Sequence, residues 1–344
     1  MKKILTVIGT RPEIIKMFPL IKKLDKIFNQ KIIFSGQHFS KNMADIIFND
    51  LGLRKPDIKV KIINNYNFYN EFYQKFRLII KKEKPSAIIY HGDTFTTLAS
   101  ALSSHLHYPE IKNIHIESGY RSKLISQIEE RIRTIVDNVS FANFTIRKKE
   151  KNNLLDEGIK KNVYLVGNTI NDSIEIIKKR LKKQNKKKYI FVTIHRAENV
   201  DDKRRIEKIF KLLNDLSKKI DVIISLHPRT KKMVKKYELN INKSIKIIQT
   251  MNYSDSITYL MNCHFCITDS GGLQEESILL GKKCFIPLVS TPHKYYLGKN
   301  SNELIDFKNN KKIFNHINKK IKIKKFDHKK NVSKKICNIL KKII

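Results

Sequence analysis

Cysteine is scarce in this chain and comes late: Cys263, Cys266, Cys284 and Cys337 are the only four in 344 residues. That excludes a disulfide framework, and their spacings form no pair of metal-ligand motifs. Cys263-His264-Phe265-Cys266 matches C-x-x-C, but it runs into Ile267-Thr268-Asp269 as a buried strand, so structural thiols are the stronger reading. No apolar run approaches the ~18 residues of a membrane span, so no integral membrane segment is expected. The opening Met1–Gly9 stretch begins like a secretion signal, yet it is short and runs straight into Thr10-Arg11-Pro12-Glu13. It reads as a first buried strand, and the cytoplasm as the compartment. Acidic residues are also few, 32 against 70 Lys and Arg, for a net charge of +38. Such an excess would suit a phosphate backbone. Here, however, the lysines are spread along the chain among Ile and Asn, with no zinc-finger spacing, aromatic RNA-binding signature or recognition helix. The expectation is a solvated basic surface that steers anionic substrates, with no nucleic-acid partner.

What is present is an alternation. With 41% hydrophobic residues the chain can build real cores, and its length points to two domains. Short apolar runs near 3–8, 31–35, 86–91, 113–116, 141–146 and 162–166 alternate with helical patterns, and a second series follows at 189–194, 221–226, 245–249, 264–268 and 283–286. That is the signature of βα units. The predicted fold is α/β, two doubly wound Rossmann-like domains facing across a cleft. The expected division is 1–170 for an N-terminal domain carrying carboxylates, 171–188 for a helix and Lys-rich linker, 189–325 for a nucleotide-binding domain, and 326–344 for a helix packing back on the domains. In that last segment Val332, Ile336, Ile339 and Ile343 recur at helical spacing.

Three acidic residues stand where strands end and helices begin. Asp93 follows Ala87-Ile88-Ile89-Tyr90, Glu117 follows Asn113-Ile114-His115-Ile116, and Glu129 opens the next helical pattern after a polar loop. Loops at the carboxyl ends of parallel strands line the ligand crevice. Singly, Asp93 and Glu129 are read equally well as helix-capping acids; three carboxylates converging on one cleft point to proton transfer. Thr268-Asp269-Ser270-Gly271-Gly272-Leu273-Gln274-Glu275-Glu276 reads as a strand, small residues and a helix start, which gathers unpaired N–H groups and the positive end of a helix dipole for a diphosphate. Ser270 adds a hydroxyl, and Glu276 stands where it could accept from a ribose. Arg11 and Lys16, beyond the Gly9-Thr10 turn, supply cations for phosphate or sugar. His195 and His227 each end a strand.

Taken in order, Gly9-Thr10-Arg11-Pro12-Glu13-Ile14-Ile15-Lys16, Gly36-Gln37-His38, His91-Gly92-Asp93-Thr94, His115-Ile116-Glu117-Ser118-Gly119-Tyr120-Arg121, Glu129-Glu130-Arg131-Ile132-Arg133, Gly167-Asn168, His195-Arg196-Ala197-Glu198-Asn199, His227-Pro228-Arg229-Thr230 and Thr268–Glu276 resemble the non-hydrolysing UDP-N-acetylglucosamine 2-epimerases and relatives acting on other UDP-2-acetamido sugars. The resemblance implies a glycosyltransferase B-type architecture and a UDP-sugar ligand. It gives catalytic positions to Asp93, Glu117, Glu129 and His227, and substrate-binding positions to Arg11, Lys16, Arg133, Ser270, Gly271, Gly272 and Glu276. It implies no cofactor, whether nicotinamide, flavin or metal. A cytoplasmic homodimer supplying capsule or lipopolysaccharide synthesis is its expected setting. The implied chemistry is elimination of UDP to a glycal and re-addition, in which an acid carboxylate would need a raised pKa. Thr291–Gly298 departs from the family pattern by lacking its two acidic residues. A UDP-sugar-dependent glycosyltransferase of the same architecture and a catalytically impaired sugar-nucleotide-binding homologue are the alternative readings.

Overall fold

A computed structural model describes residues 1–37, 43–122, 127–181, 188–249, 251–291, 293–298, 300–319, 323 and 329–344. His38, residues 182–187 of the expected linker, Pro292 and residues 326–328 of the expected terminal segment lie outside them. The chain divides into two compact units, Met1–Ile176 with His328–Ile344, and Ile177–Asp327, so the first boundary falls inside the helix Ile170–Arg180.

The first unit is built on strands β1 (Lys3–Ile8), β2 (Asn29–Phe34), β3 (Ile58–Lys59), β4 (Ala87–His91), β5 (Lys112–Ser118), β6 (Ala142–Thr145) and β7 (Val163–Leu165), ordered β3-β2-β1-β4-β5-β6-β7. The second uses β8 (Tyr189–Ile194), β9 (Asp221–Leu226), β10 (Lys246–Ile248), β11 (Phe265–Thr268), β12 (Lys283–Ile286) and β13 (Glu303–Leu304), ordered β10-β9-β8-β11-β12-β13. All strand pairs among the described residues are parallel. Helices cover a parallel sheet on both faces, so its central strands carry continuous buried runs where a half-exposed strand would alternate. In β1, Ile4, Leu5, Val7 and Ile8 are all buried. Leu5 and Val7 pack with Ile88 and Tyr90 of β4 and with Phe72, Phe76 and Ile80 of the helix Phe68–Glu83. In the second unit Ile190, Val192 and Ile194 pack against Ile209, Leu213 and Leu216 of the helix Lys203–Ser217.

The strand order reverses between β1 and β4 in one sheet and between β8 and β11 in the other. At such a reversal the two outgoing loops diverge to opposite faces and leave a crevice beyond the strand ends. These crevices position everything that follows.

The terminal helix Val332–Ile343 packs on the helix Arg11–Leu24 and so completes the first unit. Its buried stripe is Val332, Ile336 and Leu340; Ile339 and Ile343, expected in that stripe, are only half-buried. Its first N–H groups, from Val332 and Ser333, donate to Asp172 at 3.2 and 2.7 Å. All four cysteines are buried free thiols, and burial pushes Cys263 up to about 12 and Cys337 to about 11. No helix among the described residues is long and apolar enough to cross a membrane.

Candidate active site

At the end of β1 the chain turns into the helix Arg11–Leu24 with Thr10 as N-cap. Glu13, three residues on, bends back: its Oε2 accepts the N–H groups of Gly9 and Thr10 at 2.5 and 2.8 Å. This satisfies N–H groups where β1 runs into the helix. Its Oε1 accepts the Thr94 hydroxyl at 2.7 Å, tying this turn to the one after β4. Glu13 is only 3% exposed. Burial pushes its carboxyl above the ordinary value, against the hydrogen bonds from Thr94, Thr10 and Gly9. Gly9 has to be glycine here, because a Cβ would lie 2.3 Å from both the Ser35 and Thr96 hydroxyl oxygens.

Glu117 sits in the left-handed region at φ 70°, where the register of β5 against β6 slips between Ile116 and Ser118. A non-glycine residue held there costs on the order of 1–3 kcal/mol, a strain that is commonest at functional sites. Lys16 Nζ lies 2.7 Å from both Glu117 carboxylate oxygens, and His91 Nε2 lies 3.1 Å from Oε2. Burial pushes Glu117 upward, but Lys16 and then His91 outweigh it and hold the group well below the usual carboxylate range. The raised pKa expected of an acid carboxylate is therefore not found at Glu117, which stands ionised.

These side chains open on a cavity of about 410 Å³ lined by Arg11, Lys16, Gln37, His91, Asp93 and Glu117, among others. Asp93 is bonded by Arg133, whose guanidinium lies 4.7 Å over the Tyr120 ring. Arg133 also donates to Glu130 at 3.1 Å, and Glu130 accepts the N–H and hydroxyl of Ser122, each at 2.8 Å.

Glu129, expected beside Asp93 and Glu117, is not with them. It is exposed in the first turn of the helix Ile128–Val139 and outside the cavity lining, whereas its neighbour Glu130 is buried. Successive residues of a helix point about 100° apart, so one of two adjacent acids faces inward, and here it is the second.

The reversal in the second unit is tied in the same manner from the other side. Asp269, just past β11 and 0% exposed, accepts the N–H groups of His195 and Arg196 at 3.0 and 2.9 Å and the Asn199 amide at 2.9 Å. Burial raises its pKa, but His195, 3.2 Å away through Nδ1, then Asn199 and the Arg196 N–H, hold it below the ordinary value. Ser270 caps the helix Gly271–Leu279, accepting the Leu273 N–H at 3.5 Å, which leaves its hydroxyl hydrogen for another acceptor. The first N–H groups of a helix have no partner within it. Gly271 and Gly272 are these positions, and a Cβ on Gly271 would lie 2.8 Å from His293 Nε2 and 3.8 Å from Arg196 Nη2. The 291–298 segment, which lacks the family's acids, thus brings a histidine to this turn. Glu276 is buried one turn further along. His227 belongs to this unit, its ring 5.5 Å from that of His195. Its Nδ1 accepts the Arg229 N–H at 3.2 Å, so the ring hydrogen is on Nε2. Partial desolvation, then the neighbouring His195, lower its pKa, favouring a neutral donor.

The family model for UDP-N-acetylglucosamine 2-epimerase matches residues 22–341. The chain belongs to this family. The UDP-N-acetylglucosamine 2-epimerase of Methanococcus maripaludis is 36% identical over 327 residues, covering 88% of each chain. The UDP-2,3-diacetamido-2,3-dideoxy-D-glucuronate 2-epimerase of Pseudomonas aeruginosa is 34% identical over 295 residues, covering 82% of each. Among solved structures, the Methanocaldococcus jannaschii UDP-GlcNAc 2-epimerase in complex with UDP-GlcNAc and UDP aligns with a TM-score of 0.85 at 32% identity, over 99% of both chains. The epimerase fold of two doubly wound α/β units, the glycosyltransferase B-type class, is thus the fold of this chain, and membership makes it an isomerase.

The first unit brings together Arg11, Lys16, Asp93 and Glu117 around one cavity, with Arg133 bonded to Asp93. The second gathers Ser270, Gly271, Gly272 and Glu276 at one helix start, with His227 near His195. Sequence reasoning gave no role to Glu13, His91, Glu130 or Asp269. For Glu13 the signal was available, since Thr10-Arg11-Pro12-Glu13 is a capping-box spacing. Among the described residues no group of three or more His, Cys, Asp or Glu is arranged to hold a metal ion.

Proposed function

We propose that this chain interconverts UDP-N-acetylglucosamine and UDP-N-acetylmannosamine by eliminating UDP to a glycal and re-adding it. A carboxylate takes the C2 proton as the C1–O bond to UDP breaks; a proton returned to the opposite face of C2, with UDP re-attached at C1, gives the epimer. The observation that carries this reading is the cavity beyond β1, β4 and β5, where two carboxylates, Asp93 and Glu117, stand among Arg11, Lys16 and Arg133. Ionised Glu117 suits the proton acceptor, and Asp93 is the second proton-transfer group. Glu129 stays in the proposal only as a first-turn acid of the helix that supplies Arg133. The Ser270-Gly271-Gly272 turn takes the diphosphate, Glu276 the ribose, and His227 donates to departing charge.

The reading extends to a cytoplasmic homodimer whose product enters surface-polysaccharide synthesis, with no nucleic-acid partner. Leu78 and Leu106, 68% and 63% exposed on the neighbouring helices Phe68–Glu83 and Phe95–His107, offer apolar surface for a second copy. Light scattering tests that part. A second substrate, UDP-2,3-diacetamido-2,3-dideoxy-D-glucuronate, is favoured by the similarity to the Pseudomonas enzyme.

The deciding experiment is incubation with either sugar nucleotide in heavy water. The expected result is deuterium at C2 and the C2 epimer as product. Recovery of both unchanged and unlabelled sinks the proposal, and transfer of the sugar to an acceptor replaces it with a glycosyltransferase.

A further inference from the structure

Behind the cavity, the turns that carry Asp93 and Glu117 are joined by an ion chain, buried from His115 to Arg121, whose side chains do not line it. His115 of β5 and Asp137 of the helix Ile128–Val139 are both 0% exposed, with His115 Nδ1 2.7 Å from Asp137 Oδ1. The other ring nitrogen, Nε2, is 2.8 Å from the Gly92 carbonyl oxygen. A carbonyl has no hydrogen to give, so Nε2 donates. Asp137 Oδ2 accepts the Gly119 N–H at 3.1 Å and Arg121 Nη1 at 2.7 Å, and Arg121 continues to Glu157 at 2.6 and 2.7 Å. With a guanidinium against it Asp137 is a carboxylate, so Nδ1 donates as well. Both ring nitrogens then carry hydrogen. His91 differs: only its Nε2 is engaged, by Glu117, and its buried Nδ1 has no partner among the described residues.

We propose that His115 is a positioning residue, held as a buried imidazolium that fastens the turn of Asp93 to the strand that presents Glu117. The Gly92 N–H donates to the Ile116 carbonyl at 3.0 Å, so with the His115 bond both peptide groups flanking Gly92 are anchored to β5. Gly92 itself has φ 71°, which any other residue would adopt under strain. The Asp137 carboxylate that holds His115 also receives the Gly119 N–H, two residues past Glu117. One ion chain thereby sets the spacing of the two carboxylates without touching substrate, in the way outer groups orient ligating side chains. The groups facing His115 are Asp137 from the helix and the Tyr90 ring from β4, 5.7 Å between centroids, with Arg121 and Glu157 beyond. Burial pushes the Tyr90 phenol upward, so Tyr90 stays neutral. A neutral carboxamide does not reproduce this histidine's two donors. An amide has one NH₂ and one oxygen, so Gln at 115 sets an oxygen against either Asp137 or the Gly92 carbonyl.

The turnover arm of the test rests on the proposed epimerase reading; the other two arms need no sugar. In the intact chain labelled with ¹⁵N in the histidine rings, the resonance lost in His115→Gln identifies His115. It should show two protonated ring nitrogens under the conditions of the turnover assay, as two acceptors facing the ring require. One unprotonated nitrogen overturns the proposal. In folded His115→Gln, amide exchange of the 91–94 segment should quicken, and kcat should fall on the order of 10- to 100-fold while KM and UDP affinity stay within about twofold. Unchanged exchange, unchanged kcat or a loss confined to KM overturns it. Asp137→Asn gives a second route, because removing the carboxylate should return His115 to one protonated nitrogen; a ring still doubly protonated there counts against the proposal.

Discussion

The two sheet reversals are built alike and equipped differently. Each is closed by one buried carboxylate that ties the outgoing turns: Glu13 reaches from the β1 turn to Thr94 after β4, and Asp269 reaches from the β11 turn to His195 and Arg196 after β8. Both are consumed by hydrogen bonds and left with little capacity for chemistry. What differs is what stands beside the tie. The first reversal presents ionisable side chains, Asp93, Glu117 and Lys16, one of them on a strained backbone. The second presents a helix start of glycines and a capping serine with His195, His227 and His293 near it, so it offers main-chain N–H groups and imidazoles. The topology supplies a crevice in both cases; on the proposed reading the neighbouring residues make one a proton-transfer site and the other an anion site.

That division is open to attack from either side. The largest effect is expected from Glu117→Gln and Asp93→Asn, each lowering turnover by roughly 10²-fold or more while UDP affinity, measured by calorimetry, stays near the parent's. A folded variant with near-normal turnover removes that residue from the chemistry. Lys16→Met comes next. The Lys16 cation helps hold Glu117 below the ordinary carboxylate range against burial. Without it the folded-state pKa rises, Glu117 takes up a proton at higher pH, and turnover is lost sooner as pH falls. The acid limb of the pH–rate profile should move up by about 1–3 pH units, and an unmoved limb shows that Lys16 does not set it.

On the other side, Gly271→Val and Glu276→Ala should weaken UDP itself by about 1–3 kcal/mol. If both bind UDP like the parent, the nucleotide is held elsewhere and the contrast between the units collapses. The smallest effect is expected from Glu130→Gln, which loosens the support of Arg133 and should lower turnover about tenfold or less. A loss as large as that of Glu117→Gln would place Glu130 in the chemistry.

The strands were legible because fully covered parallel strands are continuous apolar runs, and Tyr189–Ile194, Asp221–Leu226 and Lys283–Ile286 stand where those runs predict. β3 and β13 were not legible. Each is a two-residue edge strand, half-buried at one residue and exposed at the other, so neither carries a pattern. Asp93 and Glu117 could be read as site candidates because the ends of buried strands mark the crevice. Choosing between Glu129 and Glu130 needed the phase of a helix whose start no capping residue in the sequence marks. The His115–Asp137 pair lies 22 positions apart and exists only because β5 and the following helix pack together; no local spacing announces it.

The terminal helix, which closes over Arg11–Leu24 from more than 300 residues away, sets an order of events during synthesis. Everything needed for the second unit, Ile177–Asp327, is translated before that helix exists. Domains are generally finished in the order they are made; here the unit begun first is completed last. Until Val332, Ile336 and Leu340 dock, the nascent first unit lacks part of its apolar cover. A chain arrested near residue 330 should carry a finished second unit beside a first unit that is still sensitive to protease, and release of the last residues should end that sensitivity.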